Sequence, residues 1–155
     1  MNLDNILSQE SIFLDFTADD KEDALRQLCT LAADVLGLEM APIYSAIRYR
    51  EALGSTALGS GLVLPHGKVD IIDSTRLFLA RPGERTKLDF GCPDGLPARL
   101  IALILTPLRP TPEYIKLLAI VGRIWNSPRN ACLLMDCPDQ KSFFATFMGL
   151  SGALN

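Results

Sequence analysis

The run Arg99-Leu-Ile-Ala-Leu-Ile-Leu-Thr106 constrains the fold more than any other stretch of this 155-residue chain. A strand with one wet face alternates apolar and polar side chains. This run has no polar face, so a strand built from it must be covered on both sides. The flanking sequence offers the cover. Thr17-Ala-Asp-Asp-Lys-Glu-Asp sets a capping hydroxyl and acidic side chains where a helix N-terminus favours them, and Leu25, Leu28, Ala32, Val35 and Leu36 follow at helical spacing up to Gly37. Pro42 opens a second helix carrying Ile43, Ile47, Arg50 and Leu53, closed by Gly54. Beyond the central run, Thr111-Pro-Glu caps a third helix with Ile115, Leu118, Val121, Gly122 and Trp125 as its buried stripe. Ser127 and the stretch from Asp136 to Pro138 punctuate two shorter helices, the last running from Pro138 to Leu150.

Ser11 to Phe16, Leu62 to Pro65 and Arg76 to Arg81 are short, apolar and rich in strand formers, and a further edge strand is expected near Leu88 within the turn-rich segment from Arg81 to Pro97. Strands grouped in the middle with helices before and after them predict an α/β protein with a mixed sheet covered on both faces, rather than a regular βαβ winding. With 48% hydrophobic residues, the length suits one core, and no repeat, low-complexity segment or linker divides it. One domain over residues 1–155 is the expectation.

The net charge of −3, with no basic stripe, argues against nucleic acid or an anionic membrane as partner. No run of 18 apolar residues occurs, and Met1-Asn-Leu-Asp-Asn-Ile-Leu has no basic segment leading into an apolar core. A soluble, cytoplasmic protein without direct membrane insertion is expected. Cys29, Cys92, Cys132 and Cys137 are irregularly spaced and read as buried reduced thiols. Cys132-x4-Cys137 lacks the second pair of ligands that a zinc site needs.

The chemistry concentrates in Gly54-Ser-Thr-Ala-Leu-Gly-Ser-Gly-Leu-Val-Leu-Pro-His66-Gly-Lys68, which holds the only histidine of the chain. Gly61 to Lys68 is one residue too long for a Walker loop and lacks its Ser or Thr, and Gly59-Ser-Gly61 lacks the third glycine of a dinucleotide fingerprint. No nucleophile-elbow sequence is present, so a hydrolytic triad cannot be assembled around His66. Pro65 stiffens the entry to His66, and the glycines leave room for an anion or another backbone. Ser55, Thr56 and Ser60 add hydroxyls, and Arg50 adds a planar cation suited to phosphate. A nucleophilic imidazole fits this setting. So does an ordinary histidine at a strand end with glycines serving turns, and the residues alone leave both readings open.

Arg50-Glu-x-Leu-Gly-Ser-Thr-x-Leu-Gly-x-Gly-Leu-x-Leu-Pro-His66-Gly67 resembles, without a gap, the active-site signature of the type-2 (fructose/mannitol) enzyme IIA domains of the bacterial phosphoenolpyruvate-dependent phosphotransferase system. The order of strands and helices follows that family over nearly the whole chain, and the acidic sequence looks most like its nitrogen-regulatory members. The resemblance implies a three-layer α/β/α sandwich. It implies that His66 accepts a phosphoryl group from a histidine-phosphorylated carrier of the HPr or NPr type, that Arg50 stabilises charge, and that Ser55 and Thr56 are hydroxyl donors to the phosphate. It implies no metal or other cofactor. Regulatory or transport proteins are the implied targets, and self-association as a homodimer is left open. A separate IIA subunit of a fructose- or mannitol-type permease and a non-catalytic binding module are the alternatives. Two positions depart from the family pattern. Val63 replaces a small alanine, and Tyr114, seven residues beyond Pro107, occupies the place of a second active-site histidine; the resemblance places Tyr114 beside His66.

Overall fold

The computed structural model describes residues 2–109 and 111–154. Its regular elements are β1 (Ile12–Phe16), α1 (Lys21–Leu36), α2 (Met40–Ala52), β2 (Leu62–Val63), β3 (His66–Lys68), β4 (Arg76–Pro82), β5 (Leu100–Thr106), α3 (Pro112–Asn126), α4 (Pro128–Met135) and α5 (Gln140–Gly152). Every residue of β5 is buried, as its apolar run requires. Because side chains alternate across a strand, β5 feeds two cores. Ile101, Leu103 and Leu105 pack with Leu25, Leu28, Ile43 and Ile47 of α1 and α2. Leu100, Ala102 and Ile104 pack with Leu117, Val121, Trp125, Phe143 and Phe147 of α3 and α5. β4 divides in the same way, with Phe78 and Ala80 on the first side and Leu77 and Leu79 on the second. The result is the expected three-layer α/β/α sandwich.

The sheet order is β1-β4-β5-β2, with β3 also on β5. β1 runs parallel to β4, β4 antiparallel to β5, and β2 and β3 both parallel to β5. The sheet is therefore mixed. β2 and β3 are two pieces of one interrupted strand, since Leu62 pairs with Leu100 and His66 with Ile104 in the same register. Pro65 has no N–H to offer at the break, yet its carbonyl still accepts from Ile104 N at 2.9 Å. The proline thus interrupts the ladder without shifting it, and His66 opens the second piece.

Several boundaries differ from the sequence expectation. The α1 cap is Asp20, whose carboxylate accepts from Asp23 N at 2.8 Å, in place of Thr17. α2 begins at Met40, so Pro42 lies in its first turn, and Leu53 falls just past its end with 71% of its surface exposed. Leu88 is fully buried but belongs to no strand: Leu88, Phe90 and Cys92 send alternate side chains into the first core from a segment with no ladder partner. Their period-two burial mimics a strand. On α3 the buried stripe is Leu117, Val121, Ile124 and Trp125, and Ile115 is 69% exposed. The stripe is rotated from the expected one because the helix seats Leu117 and Ile124 against the sheet. α5 starts at Gln140 behind a capping box made by Asp139 and Ser142. Cys29, Cys92 and Cys137 are buried free thiols, as expected, whereas Cys132 is exposed.

Candidate active site

His66 stands where β3 emerges beside the C-terminal end of β5, and α2 packs along β3. The close approach depends on the residue after the histidine. A Cβ on Gly67 would lie 3.1 Å from the Ala46 carbonyl carbon, so a glycine lets α2 come near enough for Arg50, one turn beyond Ala46, to reach the imidazole.

Both ring nitrogens have partners. Nδ1 lies 2.8 Å from the Leu64 carbonyl oxygen, which can only accept, and Arg50 Nε donates to Nε2 at 3.1 Å. The pair assigns the tautomer: Nδ1 carries the proton and Nε2 presents its lone pair. Burial pushes the His66 pKa below its ordinary 6.5; the hydrogen bond to the Leu64 carbonyl opposes it, the Arg50 charge pushes it further down, and Glu51 pulls it up least. The imidazole is therefore neutral at pH 7, with an unprotonated nitrogen aimed at a cation. Arg50 is itself oriented by the Gly54 carbonyl, to which Nη1 donates at 2.9 Å.

These groups border an open cavity of about 650 Å³ whose lining also includes Lys68, Thr106, Tyr114, Tyr49 and Leu53. Tyr114 is at the start of α3, its ring centroid 5.6 Å from that of His66 and tilted by 52°. Partial burial raises its phenol pKa above 10, so the hydroxyl stays protonated and can donate a hydrogen bond but supplies no charge. Tyr49 and Leu53 form an apolar rim, 72% and 71% exposed.

The structure thus brings together His66, Arg50 and Tyr114. It does not bring Ser55 and Thr56 to the cavity lining. The Ser55 hydroxyl donates to the Phe90 carbonyl at 2.8 Å and accepts from Ala57 N at 3.1 Å. The Thr56 hydroxyl, buried, donates to the Glu51 carboxylate. Both hydroxyls hold the loop that precedes β2. Lys68, which the family signature does not single out, is the second cation of the cavity. Two residues past His66 on a strand, it shares the histidine's face, a relation the sequence spacing already carries.

A neutral imidazole lone pair, two cations and a phenol around an open cavity suit attack on an electrophile that carries anionic oxygens. The fold and this constellation agree with the sequence comparison. The chain belongs to the family described as "Phosphoenolpyruvate-dependent sugar phosphotransferase system, EIIA 2", whose model matches residues 5–148. Within that family it is similar to nitrogen regulatory proteins. One from Bradyrhizobium diazoefficiens is 30% identical over 124 residues, covering 80% of each chain. The crystal structure of nitrogen regulatory protein IIA-Ntr from Neisseria meningitidis superposes with a TM-score of 0.84 at 26% identity, covering 92% of this chain and 97% of that one. IIA mannitol from Escherichia coli shares the fold, with a TM-score of 0.75 at 24% identity over 91% of this chain and 98% of that one. Among the described residues, no helix is long and apolar enough to cross a membrane.

Proposed function

We propose that the protein is a phosphocarrier that accepts a phosphoryl group on Nε2 of His66 from a phosphohistidine of an HPr- or NPr-type carrier, and that its phosphorylation state governs which proteins it binds. The observation that carries this reading is the assigned tautomer, with Nδ1–H held by the Leu64 carbonyl and the Nε2 lone pair beside Arg50. In the transfer, a nitrogen–phosphorus bond forms at Nε2 as the donor's nitrogen–phosphorus bond breaks. The proton on Nδ1 stays in place, and the Leu64 carbonyl stabilises the positive charge that the ring gains. Arg50 and Lys68 are the cations available to the phosphoryl oxygens, and Tyr114 is a neutral donor. Transfer between two imidazoles needs positioning and charge stabilisation, which these side chains provide. The added charge then sits inside the Tyr49 and Leu53 rim, where it changes what can dock.

The similarity to nitrogen regulatory proteins supports a regulatory target over a role as a separate permease subunit. Tyr114 favours a second reading, a binding module that acts by contact alone, because the phenol contributes no positive charge beside His66. Incubation with phosphoenolpyruvate, enzyme I and HPr-type carriers separates the two. The phosphocarrier reading expects an acid-labile gain of one phosphoryl mass on the wild type and none on His66→Ala. A wild-type protein that gains nothing, or a His66→Ala protein that gains as much, would overturn it.

A further inference from the structure

The two groups that hold the imidazole come from separate parts of the chain. Arg50 belongs to the last turn of α2, and the Leu64 carbonyl belongs to the segment between β2 and β3. Between them runs the loop that contains Gly54, Gly59 and Gly61, a composition that leaves the backbone wide conformational freedom. A loose loop would let the two supports drift relative to each other, and the tautomer with them.

One side chain ties them together. Glu51, next to Arg50, accepts the hydroxyl hydrogen bond of Thr56. The Thr56 carbonyl in turn accepts from Leu64 N at 3.1 Å, and the same hairpin is closed by the Leu58 N bond to the Leu62 carbonyl at 2.8 Å and by an antiparallel bridge between Ala57 and Val63. The links form a ring: Arg50 to His66 Nε2, His66 Nδ1 to Leu64, Leu64 to Thr56, Thr56 to Glu51, and Glu51 back to Arg50 along α2. Glu51 is an unusual choice for such a place, since its side chain is only 7% exposed and a buried carboxylate is costly unless paired and hydrogen-bonded. The pairing is present. Lys21 Nζ, from the first turn of α1, lies 2.8 Å from the other carboxylate oxygen, so the tie also anchors the ring to the helix layer.

We propose that Glu51 is a positioning residue for His66: by joining Thr56 to the end of α2, with Lys21 neutralising its charge, it holds the two supports of the imidazole in register and selects the Nδ1–H tautomer. A carboxylate in this place never touches the reacting atoms. Its effect on transfer rests on the phosphocarrier reading; its effect on the tautomer does not.

The single histidine makes the test direct, because nitrogen-15 spectra of the labelled protein contain one imidazole. The wild type is expected to show the Nδ1–H form. Thr56→Val removes the hydroxyl while keeping the side-chain volume, and should give a mixture of Nδ1–H and Nε2–H forms with phosphoryl acceptance slowed roughly tenfold, the scale on which loss of supporting contacts acts. Thr56→Ser should restore both. Glu51→Gln, which keeps an acceptor for Thr56 but loses the charge that holds Lys21, should fall between, and it carries the test alone if Thr56→Val does not fold. A folded Thr56→Val or Glu51→Gln protein with the wild-type tautomer and rate would overturn the proposal. If the wild type accepts no phosphoryl group but the tautomer shifts in the variants, the phosphocarrier reading fails and the positioning role stands. If the wild type is phosphorylated normally and the tautomer is indifferent to both variants, the reverse holds.

Discussion

Two cavities of about 650 Å³ each open at opposite ends of the sheet, and they differ in what their charges are for. One, at the C-terminal ends of β3 and β5, has Arg50 and Lys68 around His66. The other, at the ends of β1 and β4 and the start of β5, is lined by Arg81, Arg85, Lys87 and Arg99 together with Asp15, Glu84 and Asp136. By count of cations the second is the richer. Yet Arg81 Nη1 donates to the carbonyls of Leu134, Met135 and Cys137, closing the C-terminal end of α4, and Arg99 lies over the Trp125 ring at 5.3 Å. Those guanidinium groups fasten helices to the sheet. At the His66 end the guanidinium also holds one carbonyl, that of Gly54, but its Nε meets a lone pair. On the phosphocarrier proposal, the contrast means that cationic lining by itself does not make a reactive site and that an imidazole with both nitrogens assigned is the added requirement.

The contrast can be broken most sharply at Arg50. Arg50→Ala should slow phosphoryl acceptance by roughly a hundredfold, the usual scale for losing one preorganised donor to developing charge, with circular dichroism unchanged. A rate within a factor of two of wild type would show that the cation next to Nε2 matters no more than those at the far end.

Acid is the next test. Only the neutral imidazole has a lone pair on Nε2, and burial holds the His66 pKa below 6.5. Acceptance should be flat above pH 6.5 and fall about tenfold per pH unit only below the depressed pKa. A midpoint at or above 6.5 in the pH–rate profile would contradict the burial argument. The same shift has a stability sign. Between the unfolded value of 6.5 and the lower folded value the unfolded chain binds more protons, so stability is present above pH 6.5 and declines as the pH falls through that window.

Tyr114 should matter less. Tyr114→Phe removes one neutral hydrogen-bond donor and should slow acceptance by about two- to tenfold, whereas Tyr114→His should raise the rate or lengthen the life of the phosphorylated form. Rates and lifetimes unchanged in both would place the phenol outside the reaction. The far cavity supplies the smallest effects on chemistry. Arg81→Ala should leave acceptance unchanged while lowering stability in urea titration by about 1 to 3 kcal/mol, because the carbonyls of Leu134, Met135 and Cys137 lose the guanidinium, though that of Leu134 keeps a backbone donor. Arg85→Ala, at an exposed position, should change stability by less than about 0.5 kcal/mol and leave acceptance alone.

Much of this architecture is legible in the sequence where burial alone decides it. The all-apolar run of β5 and the α1 periodicity ending at Gly37 both express local rules and reappear in the structure, whereas the strand expected over Leu62 to Pro65 is cut to Leu62–Val63 and resumes at His66, beyond the proline. Legibility fails where a local pattern has two physical solutions. Leu88, Phe90 and Cys92 alternate as a strand would, but their side chains are buried from a loop, because period-two burial does not require a ladder partner. Thr17 and Asp20 are both good caps, and the turn before α1 favours the carboxylate.

The sequence by itself determined which side chains must be covered on both faces, and so the layered fold, and its resemblance to the family signature singled out His66 and Arg50. The tertiary structure alone decided what the polar atoms do. Arg50 meets His66 across 16 positions of chain, and Ser55 reaches Phe90 across 35, so the imidazole tautomer, the recruitment of Lys68 and the diversion of the Ser55 and Thr56 hydroxyls into the loop emerge only when α2 lies against β3. The physical reason is range. Periodicity records whether a side chain faces water, whereas a hydrogen bond depends on angles and on tenths of an ångström that only packing sets.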